Sequence, residues 1–378
     1  MLPLTSGAAR VLMTADAVGG VWTYALDLAG GLAALGFDTT LAVLGPAPEA
    51  DQAEAARTVP GLRLLPTGLP LDWLADAPEQ IESAGAALAA LASEVGADVV
   101  HLHGPALAAG TRFPAPVVAS CHSCVGTWWE AVRGGQPLPP DFVWRTRMVE
   151  RGCARTDALL APSAAFAAAT ARLYGLRTPP AVVHNGRRHP PPSTARDAAP
   201  VAFTAGRLWD EGKNLRALDR AAARLAGAVP VLAAGPTEGP GGARVAFDHV
   251  QALGRLGGGD VARRLAGRPV FVSTALYEPF GLSVLEAAQA GCALVLSDIP
   301  SFRELWDGAA EFVPAEDDAA VAAAIERAAR APDRRARLGA AARARAERYT
   351  AEAMAAGTAA VYRSLLRRAG APGETAAA

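Results

Sequence analysis

The stretch 277-YEPFGLSVLEAAQAGCALVLSD-298 decides how the chain is read. A polar turn, YEPFG, opens into an apolar segment, LSVLEAAQA, and a glycine ends that segment before the strand-like ALVLS. Loop, helix and β-rich run in this order are the repeating unit of a parallel sheet covered by helices. Two glutamates interrupt the apolar pattern: Glu278 in the turn, and Glu286 near the start of the helix beside Leu282, Leu285 and Ala290. The backbone N–H groups of Phe280, Gly281 and Leu282 would be unpaired at the helix start, which suits an anion. A carboxylate at Glu286 can accept two hydrogen bonds from a vicinal diol such as a nucleotide ribose. Glu278, in the preceding loop, is placed to face a second polar group. The plainer alternative is a turn-capping Glu278 and a solvated Glu286.

The same alternation runs outward in both directions. Strands are expected at Val11–Met13, Thr40–Leu44, Leu62–Leu65, Val99–Leu102, Val117–Ser120 and Leu159–Leu160, with helices between most of them. Val21, Ala25, Leu28, Leu32 and Leu35 recur at helical spacing, and Gly36 stands where a C-cap glycine belongs. The proline-rich 187-RRHPPPSTARDAAP-200 has no periodicity and reads as a linker. Beyond it the pattern restarts with strand Val201–Thr204, helix Asn214–Leu225 and strands Val229–Ala233, Val270–Ser273 and Ala293–Ser297. The expected architecture is α/β: two Rossmann-like, doubly wound domains, residues 1–186 and 201–348, facing a central cleft. Residues 349–378 are expected to form a helix returning to the N-terminal domain, ending in a flexible tail.

Composition narrows the function. With 378 residues, 51% hydrophobic and 19% charged, the chain has a globular balance and is long enough for two cores. Its 36 basic and 37 acidic residues leave a formal charge of −1, which argues against a nucleic-acid partner. No apolar run approaches the roughly 18 residues of a membrane span, and the N-terminus lacks a signal-peptide pattern. Four cysteines in such a length form no disulfide framework, so a cytoplasmic location is expected. The 121-CHSC-124 pair supplies too few ligands for a structural zinc site, and two histidines in 98-DVVHLHG-104 lack a visible third ligand.

Three further segments could carry chemistry. In 15-ADAVGGVWTYALDLA-29, two glycines at a strand-to-helix turn allow close approach to an anion, or simply make a tight turn. In 205-AGRLWDEGKNL-215, Arg207 at a strand end and Lys213 at a helix opening suit a diphosphate. Asp210 and Glu211 could instead pair with those cations in a salt-bridged turn. His122 ends the run 117-VVASCH-122 and is placed to enter a cleft. Trp128, Trp129 and Trp144 could wall an acceptor site or pack in the core.

Together these pieces resemble the retaining glycosyltransferases of family 4, which have the GT-B architecture, over Val11 to about Tyr362. The most specific element is Glu278-x7-Glu286 within EPFGLSVLEAAQAGCALVLSD; GGVWTYALDLA, DVVHLHGP, the GRL…K segment and 182-VVHNG-186 support it. The resemblance implies a nucleoside diphosphate sugar donor, UDP- or GDP-linked, and a hexosyl group moved to a hydroxyl acceptor (sugar, lipid or small aglycone) without metal or other cofactor. On these positions it implies that Arg207 and Lys213 hold the diphosphate, with Gly20 approaching it as the domains close, and that Glu286 binds the ribose. It further implies that Glu278 and the amides of Phe280, Gly281 and Leu282 hold the sugar and distal phosphate, and that His122 contacts the sugar near the reacting carbon. Trp128 and Trp129 stand as acceptor candidates in 122–140, expected as a loop. Two positions depart from the family pattern: the Arg207-to-Lys213 spacing is one residue longer than in many members, and RRHPPP replaces an aliphatic-Asp pair after Asn185-Gly186. A sugar phosphorylase, a nucleotide-sugar epimerase and a non-catalytic nucleotide-sugar binder are the competing readings, and a homodimer stays open.

Overall fold

The computed structural model describes residues 7–188, 201–239 and 242–370. Most of the expected linker and the tail beyond 370 lie outside the described residues. The N-terminal sheet is built from β1 (Ala9–Asp16), β2 (Phe37–Leu44), β3 (Leu62–Pro66), β4 (Val99–Leu102), β5 (Val117–Ser120), β6 (Ala158–Ala161) and β7 (Ala181–Val182). Its order is β3-β2-β1-β4-β5-β6-β7, and every pairing is parallel. The C-terminal sheet comprises β8 (Ala202–Ala205), β9 (Val231–Ala234), β10 (Gln251–Ala252), β11 (Val270–Ser273), β12 (Ala293–Ser297) and β13 (Glu311–Val313). Its order, β10-β9-β8-β11-β12-β13, is again all parallel. Helices cover both faces, so β4, β5 and β12 are buried at every residue, as their unbroken apolar runs predict.

In each sheet the strand order reverses beside the first strand, between β1 and β4 and between β8 and β11. Crevices at the carboxyl ends of such reversals are where doubly wound folds bind ligands. The two crevices face each other.

The chain crosses between the domains twice, and the crossings lie side by side. Arg187 N–H donates to Tyr349 C=O at 3.2 Å, and Ala351 N–H donates to Arg187 C=O at 3.2 Å. A Cβ on Gly186 would stand 1.9 Å from the Thr350 carbonyl oxygen, so only glycine lets the two strands of chain meet there. Past this crossing, helix Ala351–Gly370 lies against helix Gly20–Ala33. Met354, Ala355, Ala359 and Tyr362 share one buried cluster with Val11, Leu28 and Leu32 of the N-terminal domain.

One expectation about local structure is corrected. The segment 122–140 is not a loop: Val125–Arg133 is a helix, and a second helix begins at Pro140. Cys124 caps the first of them, its sulfur accepting the Thr127 N–H at 3.4 Å. The Gly-Gly and Pro-Pro pairs downstream hid a nine-residue helix whose apolar face is carried by Val125, Trp128 and Trp129.

Candidate active site

Helix Leu282–Ala290 and helix Gly20–Ala33 meet end to end across the cleft. A Cβ on Gly20 would lie 3.4 Å from Leu282 Cδ1, and one on Gly19 would lie 3.9 Å from Arg207 Nη1. Two helix N-termini from different domains and one guanidinium thus converge on one point, each contributing positive potential. Local residues fix the turn on the N-terminal side: Asp16 Oδ1 accepts the N–H of Val18 at 2.8 Å and of Gly19 at 3.0 Å. On the other side Gly281 takes φ +90°, the left-handed region, and its missing Cβ would press on Phe302, Val284 and Glu278 at 3.2–3.3 Å. Phe280 is buried against Tyr349, so only its backbone remains for the cleft.

The phosphate-type cations are present and partnered. Arg207 Nη2 donates to Asp210 Oδ2 at 2.9 Å. Asp210 Oδ1 also accepts Gly212 N–H at 2.9 Å and, from the N-terminal domain, Trp128 Nε1–H at 3.0 Å. Burial pulls the Asp210 carboxyl upward, but Arg207, Lys213 and the Trp128 N–H outweigh it and hold it below the ordinary range. Glu211 pairs with Arg133 across the cleft. The salt-bridged turn that competed with the diphosphate reading is there only in its Arg207–Asp210 half, and Arg207 and Lys213 still line a small crevice with Thr204, Ser273 and Ser283. Lys213 lies in a short 3-10 turn before helix Leu215–Leu225 and pairs with Glu278.

Glu286 sits in the second turn of its helix, not in the first, and it is not simply solvated. Arg187 Nε lies 3.0 Å from Glu286 Oε1, but the approach is bent, leaving the buried Nε–H without a hydrogen bond. The same guanidinium donates from Nη1 to Asp27 Oδ2 at 2.5 Å, and Arg188 Nε lies 3.2 Å from Asp27 Oδ1. Burial raises the Glu286 carboxyl, with Arg187 opposing and Asp27 adding to the rise. A cavity of about 600 Å³ opens here, lined by Trp22, Asp27, Arg187, Arg188, Arg255 and Leu256 among others.

His122 lies in a ring cluster, 4.4 Å from Tyr24 and 5.1 Å from His103 between centroids. Its Nε2 has no partner within the protein, and burial lowers the imidazole to about 4, so it is neutral near pH 7. His101 is structural: it bonds Tyr362 OH at 2.6 Å and Ser120 Oγ at 2.7 Å. The two tryptophans separate. Trp128 spends its N–H on the Arg207 turn, whereas Trp129 donates to Gln136 C=O at 2.9 Å and packs edge-on to Phe142. Among the described residues, no group of three His, Cys, Asp or Glu side chains is disposed to hold a metal ion, and no helix is long and apolar enough to cross a membrane.

Sequence reasoning passed over Asp27 and the carboxylate of Asp72. Asp27 is an acid on an otherwise apolar helix face, the same signal that marked Glu286. Asp72 is raised to about 6 by burial and by its neighbour Asp16.

The chain is similar to known proteins in sequence family and in fold. Residues 18–188 match Glycosyltransferase Family 4, and residues 199–331 match Glycosyl transferases group 1. No curated protein matches the sequence. Among solved structures, sucrose-phosphate synthase from Thermosynechococcus elongatus is similar at TM-score 0.76 and 19% identity, covering 95% of this chain and 100% of its own. Anabaena HepE in complex with UDP-glucose is similar at TM-score 0.72 and 17% identity, covering 94% and 100%. A glycosyltransferase from Rickettsia africae follows at 0.66 and 15%, covering 95% and 99%. These likenesses carry the fold, two Rossmann-like domains in the GT-B arrangement. With both halves matched in sequence and the fold shared, the chain belongs to the family 4 type of GT-B glycosyltransferases.

Proposed function

We propose that this glycosyltransferase moves a hexosyl group from a nucleoside diphosphate sugar to a hydroxyl acceptor, with retention at the anomeric carbon and without a divalent metal. The carrying observation is the convergence of two helix N-termini with Arg207, beside Lys213, on one point of the cleft. Such a point favours a diphosphate, and fixed positive groups there stabilise the charge that grows on a departing phosphate. Arg207 and Lys213 would do the work that a metal does elsewhere.

The donor is read as lying along helix Leu282–Ala290. Its diphosphate meets Gly20, Arg207, Lys213 and the amides of Phe280, Gly281 and Leu282, and Glu278 faces the sugar. Glu286 takes the ribose hydroxyls, and the base enters the cavity beside Arg255 and Leu256. HepE, similar in fold, has been solved with UDP-glucose, which supports a donor of this class.

Retention follows from front-face attack. The acceptor oxygen bonds to the anomeric carbon on the face from which the carbon–oxygen bond to phosphate breaks. That electron pair goes to the phosphate oxygen, which takes the acceptor's proton. Neutral His122, whose buried Nε2 lacks a partner within the protein, is read as the group that hydrogen-bonds the sugar during this exchange. Trp128, bound to Asp210, acts through Arg207; Trp129 is kept as the acceptor-facing ring. The four cysteines are free thiols, and we assign the reaction to a reducing cytoplasm.

The test is donor turnover by Arg207→Ala and Glu286→Ala in the presence of EDTA. Both variants should lose most activity while the unaltered protein keeps it. Near-normal turnover by both would sink the assignment.

A further inference from the structure

Arg187 and Arg188 stand at one of the two departures from the family pattern, and there the structure holds a three-member contact between domains. Arg187 belongs to the crossover between the domains, Asp27 to the first helix of the N-terminal domain, and Glu286 to the C-terminal domain. Asp27 and Arg187 lie 160 residues apart in sequence. The backbone of Arg187 is held on both sides, by Tyr349 and Ala351 and by the Gln289 side chain at 3.3 Å, so its guanidinium is aimed by fixed main chain. Arg188 takes the other oxygen of Asp27 and covers Gly30, where a Cβ would meet Arg188 Nη2 at 2.4 Å. Asp27 is thus saturated by two arginines, whereas Glu286 has one bent contact and a raised carboxyl.

We infer that Arg187 is a positioning residue for the donor: it transmits contact with the N-terminal domain, through Asp27, to the carboxylate of Glu286, so that the ribose site is set only when the domains meet. The inference rests on the reading that Glu286 binds the donor's ribose. A guanidinium can serve two carboxylates at once because its N–H groups form a rigid fork, and lysine cannot reproduce that span. Arg187 orients Glu286 and favours its ionised form against the pull of burial, the form that accepts two hydrogen bonds from a diol. Among the described residues, the charged groups facing Glu286 are Arg187 from the crossover and Asp27 from the first helix, with Arg188 behind Asp27.

The experiment is calorimetric titration with UDP and GDP of the full chain and of Arg187→Ala, Arg187→Lys, Asp27→Asn and Glu286→Ala, across pH 5 to 8. Arg187→Ala should weaken the nucleotide about tenfold, the scale of a lost hydrogen bond to a charged group. Asp27→Asn should weaken it in the same direction although Asp27 is already saturated by arginines. A chain carrying both Arg187→Ala and Asp27→Asn should bind no worse than Arg187→Ala alone, because both residues act through one relay. Arg187→Lys should recover part of the loss. In Arg187→Ala the affinity should begin to fall at a higher pH than in the unaltered chain, since Glu286 protonates more readily without its cation.

Glu286→Ala separates the two ways of failing. If it binds as the unaltered chain does, or if neither nucleotide binds the unaltered chain, the donor reading falls and this inference with it. If it binds weakly while Arg187→Ala and Asp27→Asn bind normally, only the Arg187 role is overturned. A lowered melting temperature with unchanged affinity and pH profile would mean a structural clasp, and would also overturn it.

Discussion

The two ends of the cleft join the domains by similar means to opposite effect. At one end Trp128 of the N-terminal domain holds Asp210, which holds Arg207; at the other, Asp27 holds Arg187, which reaches Glu286. Asp210 has donors on both oxygens and is kept easily ionised. Glu286 has a single bent contact and is pushed toward its neutral form. A satisfied carboxylate is a fixture; an under-satisfied one has capacity left for a ligand. The contrast makes Asp210 part of the frame that aims Arg207, and Glu286 a binding group in its own right.

Four measurements would break or sharpen that contrast. Removing the framed cation itself, Arg207→Ala, should cost the most: about 100-fold or more in kcat/KM for donor turnover, the scale of losing one preorganised donor to developing charge. A loss mainly in KM would mean that Arg207 binds without assisting departure. Next is the pivot beside the Glu286 end. Gly186→Ala drives a methyl group into Thr350 C=O and should cost about 3 kcal/mol of stability in chemical unfolding. An unfolding midpoint like that of the unaltered protein would show that the two crossings can part freely.

The third concerns acid near the Arg207 end. Asp72 titrates near 3.8 when unfolded and at about 6 in the fold, so the folded chain holds this proton more tightly. Its contribution is fully present below pH 3.8 and is lost as pH rises through about 6, roughly 3 kcal/mol over the window. Asp72→Asn should abolish that slope and stabilise the protein at pH 7; stability against pH checks it. The smallest effect should come from Trp128→Phe, which removes only the Nε1–H to Asp210. About 1 kcal/mol is at stake, a fall of roughly fivefold in kcat/KM with donor affinity little changed. If Trp128→Phe harmed turnover as severely as Arg207→Ala, Asp210 would not be satisfied from its own domain, and the contrast would fail.

The fold was legible because strands buried on both faces cannot hide in sequence: β4, β5, β11 and β12 have the bounds their apolar runs predict. Short edge strands such as β7 and β10, two residues each, carry too little pattern to be found. Glu278, Glu286, Arg207 and Lys213 stood out as charged residues next to glycine turns or on apolar faces. The local pair of Arg207 with Asp210 was legible too, but the contacts that reach across the cleft were not. Trp128 and Asp210 are 82 positions apart and Arg187 and Asp27 are 160 apart, and no local rule pairs residues across such distances. The helix over 125–133 was missed for a different reason. The glycine and proline pairs beyond it read as loop, and its cap is a cysteine sulfur, an unusual acceptor for that position.

The returning helix Ala351–Gly370 has a consequence for biosynthesis. Met354, Ala355, Ala359 and Tyr362 complete the core around Val11, Leu28 and Leu32, yet they are made only after the whole second sheet. The first domain made is therefore the last one finished. Until that helix has emerged, helix Gly20–Ala33 keeps an open apolar flank, and the second domain can fold while the first still waits.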